Sequence, residues 1–174
     1  VRSVFAGLRP LAAPTGDDKA TKSISRSHKI IVSVNGLVTI TGGKWTTYRR
    51  MAQDAIDKAA MIAGLEEKSC QTTHMSIHGA VINIDKNDPL HIYGTDAEGI
   101  RELISHNPQL SKRLTSKLSY TAAEIVWIVR HEMARTIEDV LARRTRSLLL
   151  DAQASIEIAP LVADLMAKEL KKDH

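Results

Sequence analysis

The chain is 174 residues long, 43% hydrophobic and 3% aromatic, with a formal net charge of +4. That length supports one substantial core or two small ones, resting on Leu, Ile, Val and Ala because aromatic residues are scarce. Its single cysteine, Cys70, excludes an internal disulfide and a cysteine metal cluster, and no apolar run approaches the ~20 residues of a membrane span.

Residues 1–11 predict a strand, with Val4, Ala6 and Leu8 on one face and Phe5, Gly7 and Arg9 on the other. Pro10 ends the pairing because it carries no donor, which leaves Arg9 at the strand terminus. A guanidinium there can reach into a cleft and hold carboxylate or phosphate oxygens by two parallel bonds. The chain opens on Val1-Arg2-Ser3 with neither Met nor a signal-peptide pattern, as expected of a piece of a longer protein. Residues 12–27 form a polar loop that holds Lys19, Lys22 and Arg26.

The strongest local signal comes next. Asn35-Gly36 lies between the β-branched runs 30–34 and 37–41, which predicts a two-residue type I′ hairpin pairing Val34 with Leu37 and Val32 with Thr39. The second strand runs into Gly42-Gly43-Lys44, and a helix is predicted over 45–63. Met51, Ala55, Ala59 and Ile62 make its apolar face, Tyr48, Ala52 and Ile56 adjoin it, and Gly64 is the stop. This junction gathers bare backbone, the unpaired N–H groups of a helix start and the charge of Lys44 at one point. It suits an anion or an electron-rich ring edge. It is not a P-loop, since Val38 and Trp45 stand where that motif needs Gly and Ser or Thr.

Residues 64–94 read as an irregular polar connector. His74, His78 and His91 lack the cysteine or carboxylate neighbours of a metal site, and no metal is expected there. From Thr95 onward the pattern is helical. Thr95-x-x-Glu98, Thr121-x-x-Glu124 and Thr136-x-x-Asp139 mark helix starts, and Tyr120 with Ile125 occupies the positions of a hydrophobic staple. Asn107-Pro108 separates two helices. Ala122, Val126, Val129 and Met133 form one buried stripe, with Ile125 and Ile128 beside it. Ile137, Val140, Leu141, Leu148 and Leu149 form the next. Asp151 caps the last helix, Pro160 is expected to kink or interrupt it, and Leu161, Leu165 and Met166 continue its apolar face. Arg143-Arg144-x-Arg146 has no interleaved aromatics and has Glu138 and Asp139 a turn away, so it reads as a solvated or domain-contacting face and no nucleic-acid partner is expected. His131-Glu132 is no zinc-protease helix, because Arg135 holds the place of the second histidine. The fold class is α+β. Residues 1–63 form a strand, hairpin and helix part, 64–94 the connector, and 95–174 an all-α domain of four or five helices.

Four ordered segments carry a resemblance. Gly7-Leu8-Arg9-Pro10-Leu11, Ile24-Ser25-Arg26, Gly42-Gly43-Lys44-Trp45-Thr46-Thr47-Tyr48-Arg49 and the segment from Asp139 to Arg146 follow one another as they do in one family. The chain resembles the C-terminal portion of FAD-dependent, quinone-linked glycerol-3-phosphate dehydrogenase, most weakly across 70–94. The resemblance implies that 1–63 completes an FAD and substrate domain. It implies that Arg9, Arg26 and Lys44 bind glycerol 3-phosphate, and that Gly42, Gly43, Lys44, Trp45 and Thr46 border the flavin ring. It further implies oxidation of sn-glycerol 3-phosphate to dihydroxyacetone phosphate with hydride passing to FAD and electrons to quinone, in the cytoplasm or peripherally on the cytoplasmic membrane. No general base is assigned within these residues. A G-x-G-x-x-G segment for the cofactor pyrophosphate is absent, so the chain alone is expected to be inactive and free of FAD. The alternatives are an oxidase of the same family that uses oxygen and a non-enzymatic helical interaction module.

Overall fold

The computed structural model describes residues 1–8 and 27–172. The chain divides into two compact units, one of Gly7–Ser76 and one of Val1–Ala6 with Ile77–His174. The expected α+β class is borne out: an antiparallel hairpin comes first and a mostly helical region follows.

In the first unit, strand β1 (His28–Val32) pairs with β2 (Val38–Gly42), with Val32 opposite Val38, Ile30 opposite Ile40 and His28 opposite Gly42. The predicted register is therefore off by one residue. The loop is closed by Ser33: its carbonyl accepts from the Gly36 N–H (3.0 Å) and its N–H donates to the Leu37 carbonyl (3.0 Å). Only Gly36 takes positive φ (+84°), whereas a type I′ turn needs it at Asn35 too. The Ser33 hydroxyl accepts from the Leu37 N–H (3.0 Å) and bonds Asn35 Oδ1, stabilising a three-residue loop (34–36) in place of the tighter turn.

A 3₁₀ turn, Trp45–Thr47, then leads directly into α1 (Tyr48–Ile62). The helix ends as predicted. Gly64 has φ +63°, and the Leu65 and Gly64 N–H groups bond back to the Ala60 and Met61 carbonyls, a Schellman closure. The apolar face packs on β1 and β2, but no residue of α1 is buried. Tyr48, Ile56 and Ile62, expected on or beside that face, are exposed. The hairpin is too narrow to cover more than one side of a helix.

The second unit holds every buried residue among those described. Residues 1–8 form no strand, contrary to expectation. Instead Arg2 accepts from the Ala152 N–H (3.1 Å) and Ser3 donates to the Leu148 carbonyl (2.7 Å). After an irregular stretch and a 3₁₀ segment (His91–Asp96), α2 (Ala97–His106), α3 (Ala122–His131), α4 (Ser147–Leu150) and α5 (Ala152–Leu170) follow. The main core joins Tyr120, Ile125, Ile128, Val129, Val140, Ile158, Val162 and Met166, and a smaller one joins Leu90, Ala97, Ile100 and Ala123. Trp127 packs against the smaller core and stacks on His131 at 4.0 Å.

The caps fall mostly where the sequence put them. The Thr121 N–H donates to Glu124 (2.7 Å), and Tyr120 and Ile125 are both buried. Asp139 accepts from the Thr136 N–H (2.9 Å) and donates its own N–H to the Thr136 hydroxyl (3.1 Å). Asp151 caps α5 through the Ala154 N–H (2.9 Å), and Asn107 accepts from the Gln109 N–H to open a 3₁₀ turn, Pro108–Ser111, with Pro at its start. The Thr95 box does not form. Asp96 is the cap residue of α2, and its carboxylate is bonded to His78 (2.8 Å).

Three apolar assignments are corrected. Met133 lies beyond the end of α3 with φ +61° and is exposed. Asp139–Arg144 winds as a π-helix and Arg146 takes φ +55°, so the 3.6-residue spacing is lost; Val140 and Leu141 stay buried, while Ile137, Leu148 and Leu149 are exposed. Thr145 and Ser147 are buried in their stead, where the Thr145 hydroxyl donates to the Val140 carbonyl (2.8 Å) and the Thr145 carbonyl accepts from the Tyr120 hydroxyl. Helix α5 runs uninterrupted through Pro160, and its buried line is Ile158, Val162 and Met166, with Leu161 exposed.

Burial pushes the Glu124 carboxyl above the usual carboxylate range, against the bonds from Thr121 and from the Tyr93 hydroxyl (3.0 Å). The folded state holds this proton more tightly than the unfolded chain does. The stabilisation it provides is complete below the unfolded value and is lost as pH rises through the raised folded value. Glu124→Gln deletes that component. Between about pH 4 and pH 7 the melting temperature of the variant should fall less than that of the parent, as measured by thermal denaturation at stepped pH.

Candidate functional site

Sequence analysis places the site at the junction of β2 and α1. Gly42 and Gly43 follow each other with φ of +76° and +86°, which an L side chain resists and glycine does not. A Cβ on Gly43 would sit 2.5 Å from Met51 Sδ and 3.3 Å from His28 Cβ. The backbone thus turns sharply while pressed between the first turn of α1 and the start of β1. Lys44 follows in extended conformation with no capping bond from its side chain, and Lys44, Trp45 and Thr46 are all exposed. Trp45 and Tyr48 stack at 6.0 Å. The Thr47 hydroxyl donates to the Lys44 carbonyl (3.0 Å), so Thr47 closes the turn.

The junction therefore brings Gly42, Gly43, Lys44, Trp45 and Thr46 together, the glycines half-buried and the last three exposed. Arg9 and Arg26 lie outside the described residues. Arg49, the last residue of the glycine-lysine segment, donates to Gln53 (3.0 Å), Thr72 (3.2 Å) and Cys70 Sγ (3.6 Å), tying the connector to α1. The bond with Thr72 is the main cause that lowers the Cys70 thiol, with Arg49 adding to it.

A cavity of about 1130 Å³ opens in the same unit, lined by Ile30, Asp54, Asp57, Met61, Leu65 and Cys70 among others. Residues 42–46 take no part in it, and Asp54, Asp57, Glu66 and Glu67 make its charged wall mostly acidic. That wall repels a phosphate. The exposed junction, with Lys44 and a helix start, is the better anion site.

In the second unit, His78 is bonded to Asp96 and His91 to the Asp88 carbonyl (2.8 Å), and among the described residues no group of three metal-ligating side chains occurs. Arg143 pairs with Glu138 (2.7 Å) and Asp139 (3.0 Å), and Arg144 lies 3.9 Å from Glu132. The backbone amides of Arg135 and Thr136 hold the Asp139 carboxyl down at about 2. The arginine cluster is thus largely neutralised locally. One element near the junction escaped the sequence reading: His28, which faces Gly42 across the hairpin and bonds Asp54 (2.9 Å). Its only sequence signal was its place in the strand opposite the glycines.

The family follows from comparison with known proteins. Residues 37–174 match the model of the C-terminal domain of alpha-glycerophosphate oxidase. The chain belongs to this family of glycerol-3-phosphate oxidase and dehydrogenase C-terminal domains. It is 34% identical over 194 residues to the mitochondrial glycerol-3-phosphate dehydrogenase of Mesocricetus auratus, covering 98% of this chain and 26% of that protein. It is 34% identical over 197 residues to the human mitochondrial enzyme, covering 99% and 26%, and 33% identical over 205 residues to that of Arabidopsis thaliana, covering 99% and 32%. The chain thus spans between a quarter and a third of the length of these curated relatives.

Gly43→Ala should destabilise the first unit by about 1–2 kcal/mol, mostly through the left-handed backbone, since the tip of Met51 can swing aside. Urea denaturation measures this, and an unchanged midpoint would show that the junction is not held in this conformation.

Proposed function

We propose that the chain is the C-terminal part of a flavoprotein that oxidises sn-glycerol 3-phosphate to dihydroxyacetone phosphate. The observation that carries this reading is the Gly42-Gly43-Lys44 bend, where left-handed glycine backbone delivers an exposed lysine to a helix start. The relatives at about a third identity, named glycerol-3-phosphate dehydrogenases, support it.

These residues fit an isoalloxazine edge. Left-handed backbone at two glycines turns the chain sharply and presents Lys44 and Thr46, both exposed, where a flat ring edge can approach. FAD, when bound, supplies the hydride acceptor. With the ring bound beside it, Lys44 would supply positive charge to balance negative charge on the flavin, and preorganised charge of this kind is worth on the order of 3 kcal/mol per donor. Arg9 and Arg26, with Lys44, hold the phosphate and the polar groups of the substrate. We take 1–63 as the closing part of the FAD and substrate domain. Ile31, Val32, Ile40, Ile56 and Trp45 of this part are exposed, apolar surface that a larger domain would cover.

Quinone is the proposed electron acceptor, which places the enzyme peripherally against the cytoplasmic membrane because quinones are dissolved in lipid. No helix among the described residues is long and apolar enough to cross a membrane. An enzyme that uses oxygen instead would form peroxide in place of reduced quinone, and assaying both products separates the two.

Two outcomes are expected. The 174-residue chain alone should retain no flavin absorbance after desalting and show no turnover. In the full-length enzyme, Lys44→Ala should lower kcat on the order of a hundredfold while the unfolding free energy changes by less than about 1 kcal/mol. Wild-type kinetics in that variant would reduce Lys44 to a surface residue.

A further inference from the structure

We infer that His28 is a positioning residue: linked to Asp54 and through it to Arg50, it fixes the Gly42-Gly43 bend and so sets where Lys44 and the helix start meet their ligand. This rests on the reading of that bend as a flavin edge.

Two successive glycines with positive φ have no side chains of their own to hold them. Neighbours must do it. Met51 closes one side, and His28, opposite Gly42 in the hairpin and 3.3 Å from the place of a Gly43 Cβ, closes the other. The His28 side chain is itself held. Its Nε2 bonds Asp54 Oδ2 at 2.9 Å, and Arg50 Nε donates to Asp54 Oδ1 at 2.9 Å. Both oxygens of Asp54 are therefore engaged, and His28 and Asp54 are only 21% and 25% exposed. Asp54 and Arg50 stand on α1, the helix whose opening follows the bend. The link thus joins β1, which pairs with the strand that enters the bend, to the helix that leaves it, and so restricts the path of the bend between them. Ligand placement matters here because a shift of about 1 Å at a reacting centre can change the rate on the order of a hundredfold.

A purely structural brace would affect melting temperature alone. A positioning residue also alters what the flavin reports. The test uses the full-length flavoenzyme with His28→Ala, His28→Gln, Asp54→Asn and, as reference, Lys44→Ala. Melting temperature, flavin absorbance maxima, flavin reduction potential, kcat and KM for glycerol 3-phosphate are measured for each. His28→Ala is expected to lower kcat about tenfold, to shift the flavin spectrum and potential, and to leave KM within about twofold. His28→Gln can still donate to Asp54 and is expected to recover most of the loss, while Asp54→Asn shifts the same readouts in the direction of His28→Ala. If His28→Ala fails to fold, His28→Gln and Asp54→Asn decide the matter on the same readouts. A wild-type spectrum, potential and kcat in the variants that fold would overturn the inference. Should Lys44→Ala alter the flavin while the His28 and Asp54 variants do not, only this inference falls; should Lys44→Ala be silent as well, the flavin-edge reading falls with it.

Discussion

The bend at Gly42 and Gly43 is the constraint on which the rest of the first unit depends. Both residues sit in left-handed backbone, and the second is pressed between Met51 and His28. No residue with a Cβ meets both demands without strain and a clash. Because the bend is tight, β2 passes into the Trp45–Thr47 turn without an intervening loop, and α1 continues directly from that turn. A strand, a turn and a helix are thereby joined at a fixed angle. Lys44 sits at the vertex, exposed, where the bend meets the helix start.

The two units are stabilised in different ways. The helical unit has a core of Ile125, Ile128, Val140 and Val162 at 0–1% exposure, and its helices are anchored by caps at Thr121, Thr136 and Asp151. It also contains the strained parts of the chain: a π-helix at Asp139–Arg144, then Arg146 in left-handed backbone, both held by the buried hydroxyls of Thr145 and Ser147. Satisfied polar groups at low exposure specify one packing because the alternative leaves them unpaired. Among its described residues the first unit has no such core. Ile31, Val32, Ile40 and Ile56 are between 38% and 67% exposed, and burying what remains of each would contribute on the order of 1 kcal/mol.

Legibility in the sequence followed the range of the interaction. Helix ends at Thr121, Thr136, Asp151 and Gly64 were read correctly, since each depends on a side chain and backbone a few residues apart. The hairpin was found but its register was not. The Asn-Gly rule speaks for a tight turn, and a hydroxyl two residues earlier shifted the closure to Ser33. The Thr95 box does not form: Asp96 takes the cap position without a capping bond, and its carboxylate is bonded to His78, 18 positions away. Met133, Leu148 and Leu149 were misplaced because a fixed 3.6-residue period was carried through the end of α3 and across a π-turn. At the site, residues 42–46 were legible as a pattern of types. His28 was not, because its part arises from pairing across strands and from a carboxylate 26 positions on.

That missing piece bears on how such a unit can hold its geometry. Ion pairs at this level of exposure contribute about 0–1 kcal/mol, too little to replace a buried core. The His28–Asp54–Arg50 link therefore acts on direction more than on stability. A carboxylate held on its own helix by Arg50 and bonded to His28 on the strand limits the sliding and rolling that a sparse apolar contact would allow. In a unit whose apolar side is open, polar geometry sets where the helix start points within the path that the glycine bend allows. Stability and aim are then supplied by different residues. Substitutions along β1 and α1 should accordingly separate into those that change how firmly the unit holds and those that change what Lys44 faces.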